Sequence, residues 1–343
     1  MDELIAAGAS WPGVVAVSGG GDSIALMHLL AGWAKKTRRP LPQVLTVDHG
    51  LRDGSNADAR KVLRWARAAG LKAKALRWTG PRPQSDIEAR AREARYRLMG
   101  GWARDNGVAA VYVAHTSDDQ AETFLLRLMR GSGLDGLAAM RPQTPYPVAG
   151  FRELQIVRPL LGLERDTMRA HLAAKKIAWL DDPMNGEDRF ARVRLRKLIP
   201  ALEEAGLSRQ RIVAAAAHLS RAREALETVT AAVLARVVRP HGADLHVDVF
   251  GLAAAPREVG LRALAQLLMA VSGQAYRPRF ERLERLYDRL ADGSLGGGAT
   301  LHGCRVFFAP GREGVFGPGT LTIARETARS RGKKIRFGAG AVK

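Results

Sequence analysis

The chain has 343 residues, enough for two domains, and its net charge of +20 predicts a polyanionic partner, with nucleic acid as the first candidate. The single cysteine, Cys304, excludes an intramolecular disulfide, a cysteine-based zinc finger, an iron–sulfur cluster and sulfur transfer by paired cysteines. Neither a secretory signal nor an apolar run of the ~18–20 residues that a membrane helix needs is visible, so we expect a cytoplasmic protein with no membrane partner.

Strand and helix signals alternate along the first third of the chain. Short β-rich runs predict four strands, at 14–17, 43–47, 72–78 and 108–114. Helical patterns follow the first three strands, from residue 24, at 56–69 and at 84–104. The alternation predicts an α/β fold, a doubly wound and mostly parallel sheet with helices on both faces. In such folds ligands bind beyond the carboxyl ends of the strands.

The first strand ends in a glycine-rich stretch, Ser18-Gly19-Gly20-Gly21-Asp22-Ser23, which leads into the first long helix. Glycines let the backbone approach a ligand closely, and free amides at a helix start favour a phosphate. Asp22 adds a carboxylate that can handle Mg²⁺. A glycine turn that only caps the helix is the structural alternative. The stretch lacks the Gly-Lys-Ser/Thr ending of a Walker A loop and is not GxGxxG, which argues against ordinary phosphoryl transfer and dinucleotide binding.

Polar residues also follow the second and fourth predicted strands. The second strand leads into Asp48, His49 and Arg52, and the fourth leads into His115. Because parallel strands bring their carboxyl ends to one edge of the sheet, the three distant segments predict a single site. Asp48 alone would be a helix cap and His49 alone a turn histidine, but together at one strand end they favour the site.

The helix after His115 carries a dense group of acids. Asp118 or Asp119 can cap this helix, and Glu122 follows Asp118 by four residues, so both lie on one face. Two neighbouring carboxylates repel each other unless a cation or a basic ligand lies between them. Helix capping with solvated acids would explain Asp118 or Asp119 but not the whole group.

The second half of the chain is basic and largely helical, with predicted helices at 202–238, 261–271 and 279–290 and a predicted strand at 301–308. We predict an α/β domain at 1–200, a smaller, mainly helical domain that binds the polyanionic partner at 201–295, and a short β element with a basic, disordered tail at 296–343. Two groups of basic residues are predicted to contact phosphates, namely Arg189, Arg192, Arg194, Arg196 and Lys197, and then Arg279 and Arg282. For the first group, a solvated amphipathic helix is an equally good interpretation.

The glycine-rich stretch resembles the PP-loop, SGGxDS, of the N-type ATP pyrophosphatases, which cleave ATP between its α and β phosphates and activate a carbonyl oxygen as an adenylate. Further motifs resemble the tRNA(Ile)-lysidine synthetases over about residues 13–200. These motifs are Asp48–Arg52, Ala91-Arg92 with Arg95-Tyr96, His115–Thr123, Arg130–Gly133 with Gly136-Leu137 and Met140, Arg158–Leu161, and Asp182 with Asn185 before Arg192 and Arg194. The chain departs from the family pattern at Thr116, often a histidine, and at Met184, commonly a serine.

The resemblance implies ligation of free L-lysine to C2 of the wobble cytidine in the CAU anticodon of tRNA(Ile), through an adenylated cytidine, with release of AMP and pyrophosphate. It implies that the PP-loop with Asp48, His49, Arg52 and His115 holds ATP, and that Asp22 and Asp119 bind Mg²⁺. It leaves open which of His115, Asp118 and Glu122 holds the lysine ammonium group and which removes its proton. The basic groups would position the tRNA.

There are two rival functions, one an enzyme of the same superfamily and the other a protein of a different class. One is a tRNA 2-thiolation enzyme on the same loop, which the lone cysteine opposes. The other is a non-catalytic RNA-binding module that keeps a nucleotide as a structural ligand. Asp22, Asp119 and Glu122 oppose the second rival, because acids weaken binding to a polyanion yet suit Mg²⁺–ATP chemistry. The sequence leaves the oligomeric state open, a homodimer included.

Overall fold

The computed structural model describes residues 1–50, 54–80, 87–181, 191–274, 276–309 and 314–326. The chain divides into two compact units, one over residues 1–221 and the other from residue 222 onward. Its helices are α1 (Asp2–Ala6), α2 (Gly21–Lys36), α3 (Ser55–Ala68), α4 (Ile87–Asp105), α5 (Ser117–Leu128), α6 (Leu134–Leu137), α7 (Arg165–Ala174), α8 (Ala191–Glu204), α9 (Arg209–Val237), α10 (Val249–Ala253), α11 (Arg257–Ser272) and α12 (Phe280–Ala291). Its strands are β1 (Val14–Ala16), β2 (Gln43–Asp48), β3 (Ala73–Arg77), β4 (Ala110–Tyr112), β5 (Gln143–Pro145), β6 (Gln155–Val157), β7 (Val238–His241), β8 (Asp244–Asp248), β9 (Ala299–Leu301), β10 (Cys304–Phe308) and β11 (Thr320–Arg325).

In the first unit, six strands form one sheet in the order β3-β2-β1-β4-β6-β5. All neighbours are parallel except β5, which pairs antiparallel with β6. The predicted doubly wound, mostly parallel sheet is confirmed. The strand order reverses between β1 and β4, and at such a reversal the two following loops diverge and leave a crevice at the carboxyl edge. The fold thus places the crevice between the glycine-rich stretch and His115.

Alternate side chains of the central strand enter two cores on opposite faces of this sheet. Val15 of β1 lies in a core with Ile24 of α2 and Leu172 of α7, and Val14 lies in a second core with Met99 of α4. Successive residues of a strand point to opposite faces, so a strand covered on both sides reads as a continuous apolar run. Burial on both faces leaves only the loops at the strand ends to carry polar chemistry.

The second unit contains a five-stranded sheet in the order β7-β8-β11-β10-β9, in which every neighbouring pair is antiparallel. Leu264 of α11 and Leu286 of α12 share a core with Val247, Val306 and Ile323 of the sheet. Both helices were predicted, at 261–271 and 279–290, and the predicted strand at 301–308 is β10 with the end of β9. The strands β7, β8 and β11 were not predicted.

The predicted helical run over 202–238 is divided between the end of α8 and α9. Residues 327–343, most of the predicted tail, lie outside the described ranges. The three-part functional division stays a prediction, because compact packing does not test which residues bind tRNA. Within the described ranges, none of the helices combines the length and the apolar character needed to cross a bilayer.

Candidate active site

A cavity of about 500 Å³ opens at the carboxyl ends of β1, β2 and β4. Its walls include the glycine-rich loop, His49 after β2, His115 after β4, and Arg165 and Arg169 of α7. Three segments that are far apart in the sequence therefore line one space, where the reversed strand order leaves room for a ligand.

The glycine-rich loop is closed by its own serine hydroxyls. The Ser23 hydroxyl donates to the carbonyl of Gly20 at 2.8 Å and accepts from the amide of Ser18 at 3.2 Å. Gly20 is the residue before α2 and has no side chain with which to cap the helix. The first amides of α2 are thus available to an anion, and the helix dipole places partial positive charge there. The loop can bind a phosphate.

The two polar residues at the end of β2 have different roles: Asp48 is structural, and His49 faces the cavity. The buried Asp48 carboxylate accepts from the Gly50 amide at 3.0 Å and from Asn56 Nδ2 at 3.4 Å. Burial alone would raise the pKa of Asp48, but hydrogen bonds from Ser55, Gly50 and Asn56 outweigh it and lower the pKa. His49 lines the cavity, and burial lowers its pKa. Asp48 thus shapes the turn that presents His49.

His115 faces the cavity in a defined protonation state. Arg158 Nε donates to His115 Nδ1 at 3.2 Å, and Arg158 is itself held by the carbonyl of Arg141 and the hydroxyl of Thr144. A guanidinium is always protonated, so Nδ1 must be the acceptor and the ring proton must lie on Nε2. Burial, and after it the charge of Arg158, lower the pKa of His115 to about 4, although Asp119 opposes them. His115 is therefore a neutral hydrogen-bond donor.

Four carboxylates form an acidic cluster, Asp22 of α2 with Asp118, Asp119 and Glu122 of α5, and Arg165 contacts all four. Its Nε lies 3.1 Å from Asp22 Oδ2, its Nη2 3.4 Å from Asp119 Oδ1 and its Nη1 3.4 Å from Glu122 Oε1, while its backbone amide donates to Asp118 at 2.8 Å. Burial alone would lower the pKa of Arg165, but the surrounding carboxylates outweigh it and raise the pKa. The cation expected between the acids is this guanidinium.

Two further arginines complete the charge balance of the acidic cluster. Arg196 donates to both oxygens of Glu122, at 2.6 and 3.2 Å, and Arg209 donates to Asp118 at 2.9 Å. Glu122 has only 1 % of its side chain exposed, and a buried carboxylate requires such pairing. Asp119 accepts from the amide and the hydroxyl of Thr116, which closes the first turn of α5.

Asp22 differs from the other three acids of the cluster. Its Oδ1 is buried and has no hydrogen-bond partner among the described residues, and burial raises the pKa of the carboxyl despite the charge of Arg165. Mg²⁺ is held in nucleotide sites by one or two carboxylates together with the phosphates of the substrate. No group of three or more His, Cys, Asp or Glu side chains in the described ranges could hold a metal by itself. Asp22 and Asp119 fit a metal that ATP helps to bind.

The residues predicted to contact tRNA occupy several environments. Arg194 and Lys197 are exposed on α8, opposite its buried Val193, Leu195 and Ile199, whereas Arg192 is partly buried. Arg196, in the same group, pairs with Glu122 at the active site. Arg279 and Arg282 are exposed at the start of α12. Arg189, and Arg52 of the ATP group, lie outside the described residues.

Sequence reasoning missed Arg165 and gave Arg158 no role of its own. Arg165 opens α7, where its charge opposes the partial positive charge of the helix start. A basic residue at that position is unfavourable for the helix alone and was a usable signal of a function outside it. Arg158 was noted only as part of a motif, because the sequence does not show that its guanidinium reaches a histidine 43 residues earlier.

The comparisons with known proteins agree with this geometry. A family model described as a PP-loop domain matches residues 4–202. A tRNA(Ile)-lysidine synthase from Methylobacterium nodulans is 41% identical over 91% of this chain and 91% of its own length. The enzyme of the same name from Bradyrhizobium diazoefficiens is 43% identical over 75% of this chain and 72% of its own length.

Two further comparisons set limits. A tRNA(Ile)-lysidine synthase from Ruegeria pomeroyi is 42% identical over 77% of this chain, but the match spans only 62% of that relative's length. Among solved structures, a U34-tRNA thiolase from Methanococcus maripaludis superposes with a TM-score of 0.50 over 61% of this chain and 72% of its own, at 15% identity. At that identity the likeness shows a shared fold only.

Proposed function

The chain belongs to the tRNA(Ile)-lysidine synthase family of PP-loop proteins, and we propose that it joins free L-lysine to C2 of the wobble cytidine in a CAU-anticodon tRNA(Ile), using ATP. The observation that carries the proposal is a glycine-rich loop at a helix start that lines one cavity together with Asp22 and Asp119, two members of the acidic cluster. The loop suits a nucleotide triphosphate, and the carboxylates suit an amine and a divalent cation.

The reaction divides into two displacements. The C2 carbonyl oxygen of the cytidine attacks the α-phosphate of ATP, and pyrophosphate leaves. The amine of lysine then attacks C2, loses a proton, and AMP leaves with the oxygen. The amides of the glycine-rich loop hold the departing phosphates, where the helix dipole stabilises their charge.

Asp22 and Asp119 would hold Mg²⁺, which neutralises the negative charge that develops as the phosphates separate. The unpartnered Oδ1 of Asp22 supports this assignment. The residues that hold the loop in shape, Ser18 and Ser23, bond each other and the backbone, so we assign them to positioning.

We assign His115 to orienting a substrate oxygen through its Nε2–H, because the Nδ1 atom is already occupied by Arg158. Asp118 and Glu122 then remain to hold the lysine ammonium group and to take its proton, since the attacking amine must be neutral. Arg209 and Arg196 pair with these carboxylates, so the ammonium group would share each of them with a guanidinium.

The basic surface positions the tRNA. We propose that the exposed Arg194 and Lys197 of α8 and Arg279 and Arg282 of α12 contact its phosphates. The modified base pairs with A, so codon and aminoacylation specificity change from methionine to isoleucine. Its substrates, tRNA, ATP and free lysine, meet in the cytoplasm, where we expect the protein to act.

Incubation of the purified protein with CAU-anticodon tRNA(Ile), labelled lysine, ATP and Mg²⁺ should give lysine-labelled tRNA together with AMP. Asp22→Asn should lower the labelling rate by about 100-fold or more, because charge stabilisation at the phosphates is lost. Asp166→Asn, which changes an exposed acid in the first turn of α7, is the matched control and should label tRNA at the normal rate.

Production of ADP in place of AMP would overturn cleavage at the α-phosphate. Binding of tRNA and ATP without any incorporation of lysine would favour the non-catalytic RNA-binding module.

A further inference from the structure

We propose that Arg165 is a displaceable internal cation: its guanidinium occupies the space between Asp22 and Asp119, and it moves to the phosphates when ATP and its divalent cation bind. The inference rests on the proposed function in one respect, that the site uses ATP with a divalent cation. Arg165 is thus a positioning residue for the acidic cluster.

The contacts of Arg165 are spread over many partners and are individually long. Two of its three nitrogens lie 3.4 Å from their carboxylates, whereas a charge-assisted hydrogen bond is typically ~2.7–2.9 Å long. Arg196 shows the tighter arrangement, since it grips Glu122 with two nitrogens, one at 2.6 Å. A planar guanidinium that faces three acids from two helices cannot align with all of them. Arg165 therefore balances charge without being locked in place.

Without Arg165, the acids of the cluster would keep different numbers of hydrogen-bond partners. Glu122 keeps Arg196, and Asp119 keeps the amide and hydroxyl of Thr116. Among the described residues, the hydrogen-bonded partner of Asp22 is Arg165, and the second oxygen of Asp22 has none. Arg165 holds Asp22 Oδ2 and Asp119 Oδ1, so a metal that bridges these two oxygens must replace its guanidinium.

The backbone of Arg165 is fixed, and a phosphate site lies close to its side chain. Its backbone amide stays bound to Asp118 at 2.8 Å, so the side chain can turn without moving α7. Asp22 belongs to the glycine-rich loop, so a guanidinium that contacts it already lies beside the amides that hold phosphate. Guanidinium groups pair with phosphate oxygens through two parallel hydrogen bonds. Binding of the metal to Asp22 and of the guanidinium to phosphate are therefore compatible in one complex.

The test is binding of Mn²⁺, measured by electron paramagnetic resonance on the full chain without nucleotide or tRNA. Mn²⁺ can bind only in the fraction of molecules in which the Arg165 guanidinium has left the site, so its apparent affinity is reduced by that fraction. Arg165→Gln should therefore bind Mn²⁺ about tenfold more tightly than the native protein. Arg169→Gln removes a cation from the wall of the same cavity and is the matched control. The charge of Arg169 acts on Asp22 from a distance, and screening by water weakens such an effect, so Mn²⁺ affinity should change by less than about threefold.

Adding Asp22→Asn to Arg165→Gln should abolish the gain, which ties the metal to this carboxylate. Equal Mn²⁺ affinity in the native protein and Arg165→Gln, or a gain that survives Asp22→Asn, would overturn the proposal. If Arg165→Gln does not fold, Arg165→Lys decides. Its single ammonium cannot reach three carboxylates at once, so Mn²⁺ affinity should still rise, and no rise would reject the idea.

The measurement also separates this proposal from the proposed function. Because neither nucleotide nor tRNA is present, a gain of Mn²⁺ binding without lysine ligation would retain Arg165 as an internal cation and reject the synthase activity. Lysine ligation without a gain of Mn²⁺ binding would retain the synthase activity and reject Arg165 as an internal cation.

Discussion

At the scale of single residues, the charge distribution of the active site depends on which carboxylates pair with which guanidinium groups. Three buried carboxylates and the half-buried Asp22 meet three guanidinium groups. Removing one partner of a buried pair costs about 3–5 kcal/mol because the other charge is left buried. His115 and Arg95 also line the cavity, and burial lowers the pKa of both groups. The cavity is therefore lined both by carboxylates that suit cations and by hydrogen-bond donors.

His115 should remain neutral, with its proton on Nε2, between about pH 6 and 8. Nitrogen-15 NMR of the imidazole ring distinguishes a protonated from an unprotonated nitrogen and measures this directly. Arg158→Gln should release Nδ1 and raise the pKa of His115 from about 4 toward its ordinary value of 6.5, since one positive neighbour is gone. A native ring protonated at Nδ1 would contradict the assigned role.

The same shift gives His115 a pH-dependent effect on stability. Its folded pKa lies below its unfolded pKa, so the unfolded chain takes up the proton first as pH falls from 6.5 toward about 4. The free energy of unfolding should therefore fall with pH in that window. Denaturant titrations at about pH 7 and pH 5 measure this loss. Between these pH values the free energy of unfolding of His115→Gln should fall by on the order of 1–2 kcal/mol less than that of the native protein.

At the scale of elements, the glycine-rich loop is shaped as much by its neighbours as by its own sequence. Gly19 has φ +99°, and its carbonyl accepts from the amide of Leu180 at 2.9 Å. A Cβ atom at Gly19 would lie 2.5 Å from Leu180 Cδ1 and 3.2 Å from Val62 Cγ2. The loop is therefore clamped between α3 and the segment after α7, which fixes its amides for phosphate.

Gly19→Ala should destabilise the protein by about 1–3 kcal/mol, because the side chain both clashes and disfavours the left-handed backbone. ATP affinity should fall with it, since the amides of the loop must shift. Gly32→Ala is the control, in the middle of α2 with open space around its Cβ, and should be neutral or stabilising by up to about 1 kcal/mol. Thermal unfolding and nucleotide titration measure both effects, and equal behaviour of the two variants would contradict the clamp.

At the scale of the whole molecule, the net charge of +20 coexists with an acidic cluster in which four carboxylates pair with three arginines. The excess of basic residues therefore lies elsewhere on the surface, partly on the exposed faces of α8 and α12. Not every surface arginine contributes, because Arg257 is held by Glu284 and Asp288. The charge of Arg257 is therefore already balanced and should add little to the binding of a polyanion.

Affinity for tRNA should fall steeply as salt rises, because each neutralised phosphate releases a counterion. Replacing Arg279 and Arg282 together by alanine should reduce the slope of log affinity against log salt by about 2. Arg257→Ala, in the same unit, should leave the slope unchanged because its charge is already balanced. Filter binding across a salt series measures the three slopes. An unchanged slope in the double variant would place the contacts outside the start of α12.

The amino-acid sequence by itself determined the parallel sheet, the glycine-rich loop, the three segments at one sheet edge and the resemblance to the family. These features follow from local patterns, since alternating apolar runs and glycine turns are read within a few residues. The sequence did not predict the strands β7, β8 and β11. They belong to an antiparallel sheet in a basic, helix-rich region, and that sheet is stabilised by partners as far apart as Asp248 and Thr320.

Only the tertiary structure decided which arginines meet which acids. The chain has 54 lysines and arginines, and nothing in their spacing distinguishes Arg196, beside a buried glutamate, from Arg194 on the exposed face of the same helix. Arg165 reaches Asp22 across 143 residues of sequence. Such pairings are set by how helices pack on the sheet, and a charge that looks like surface in the sequence becomes part of the active site when packing removes water from around it.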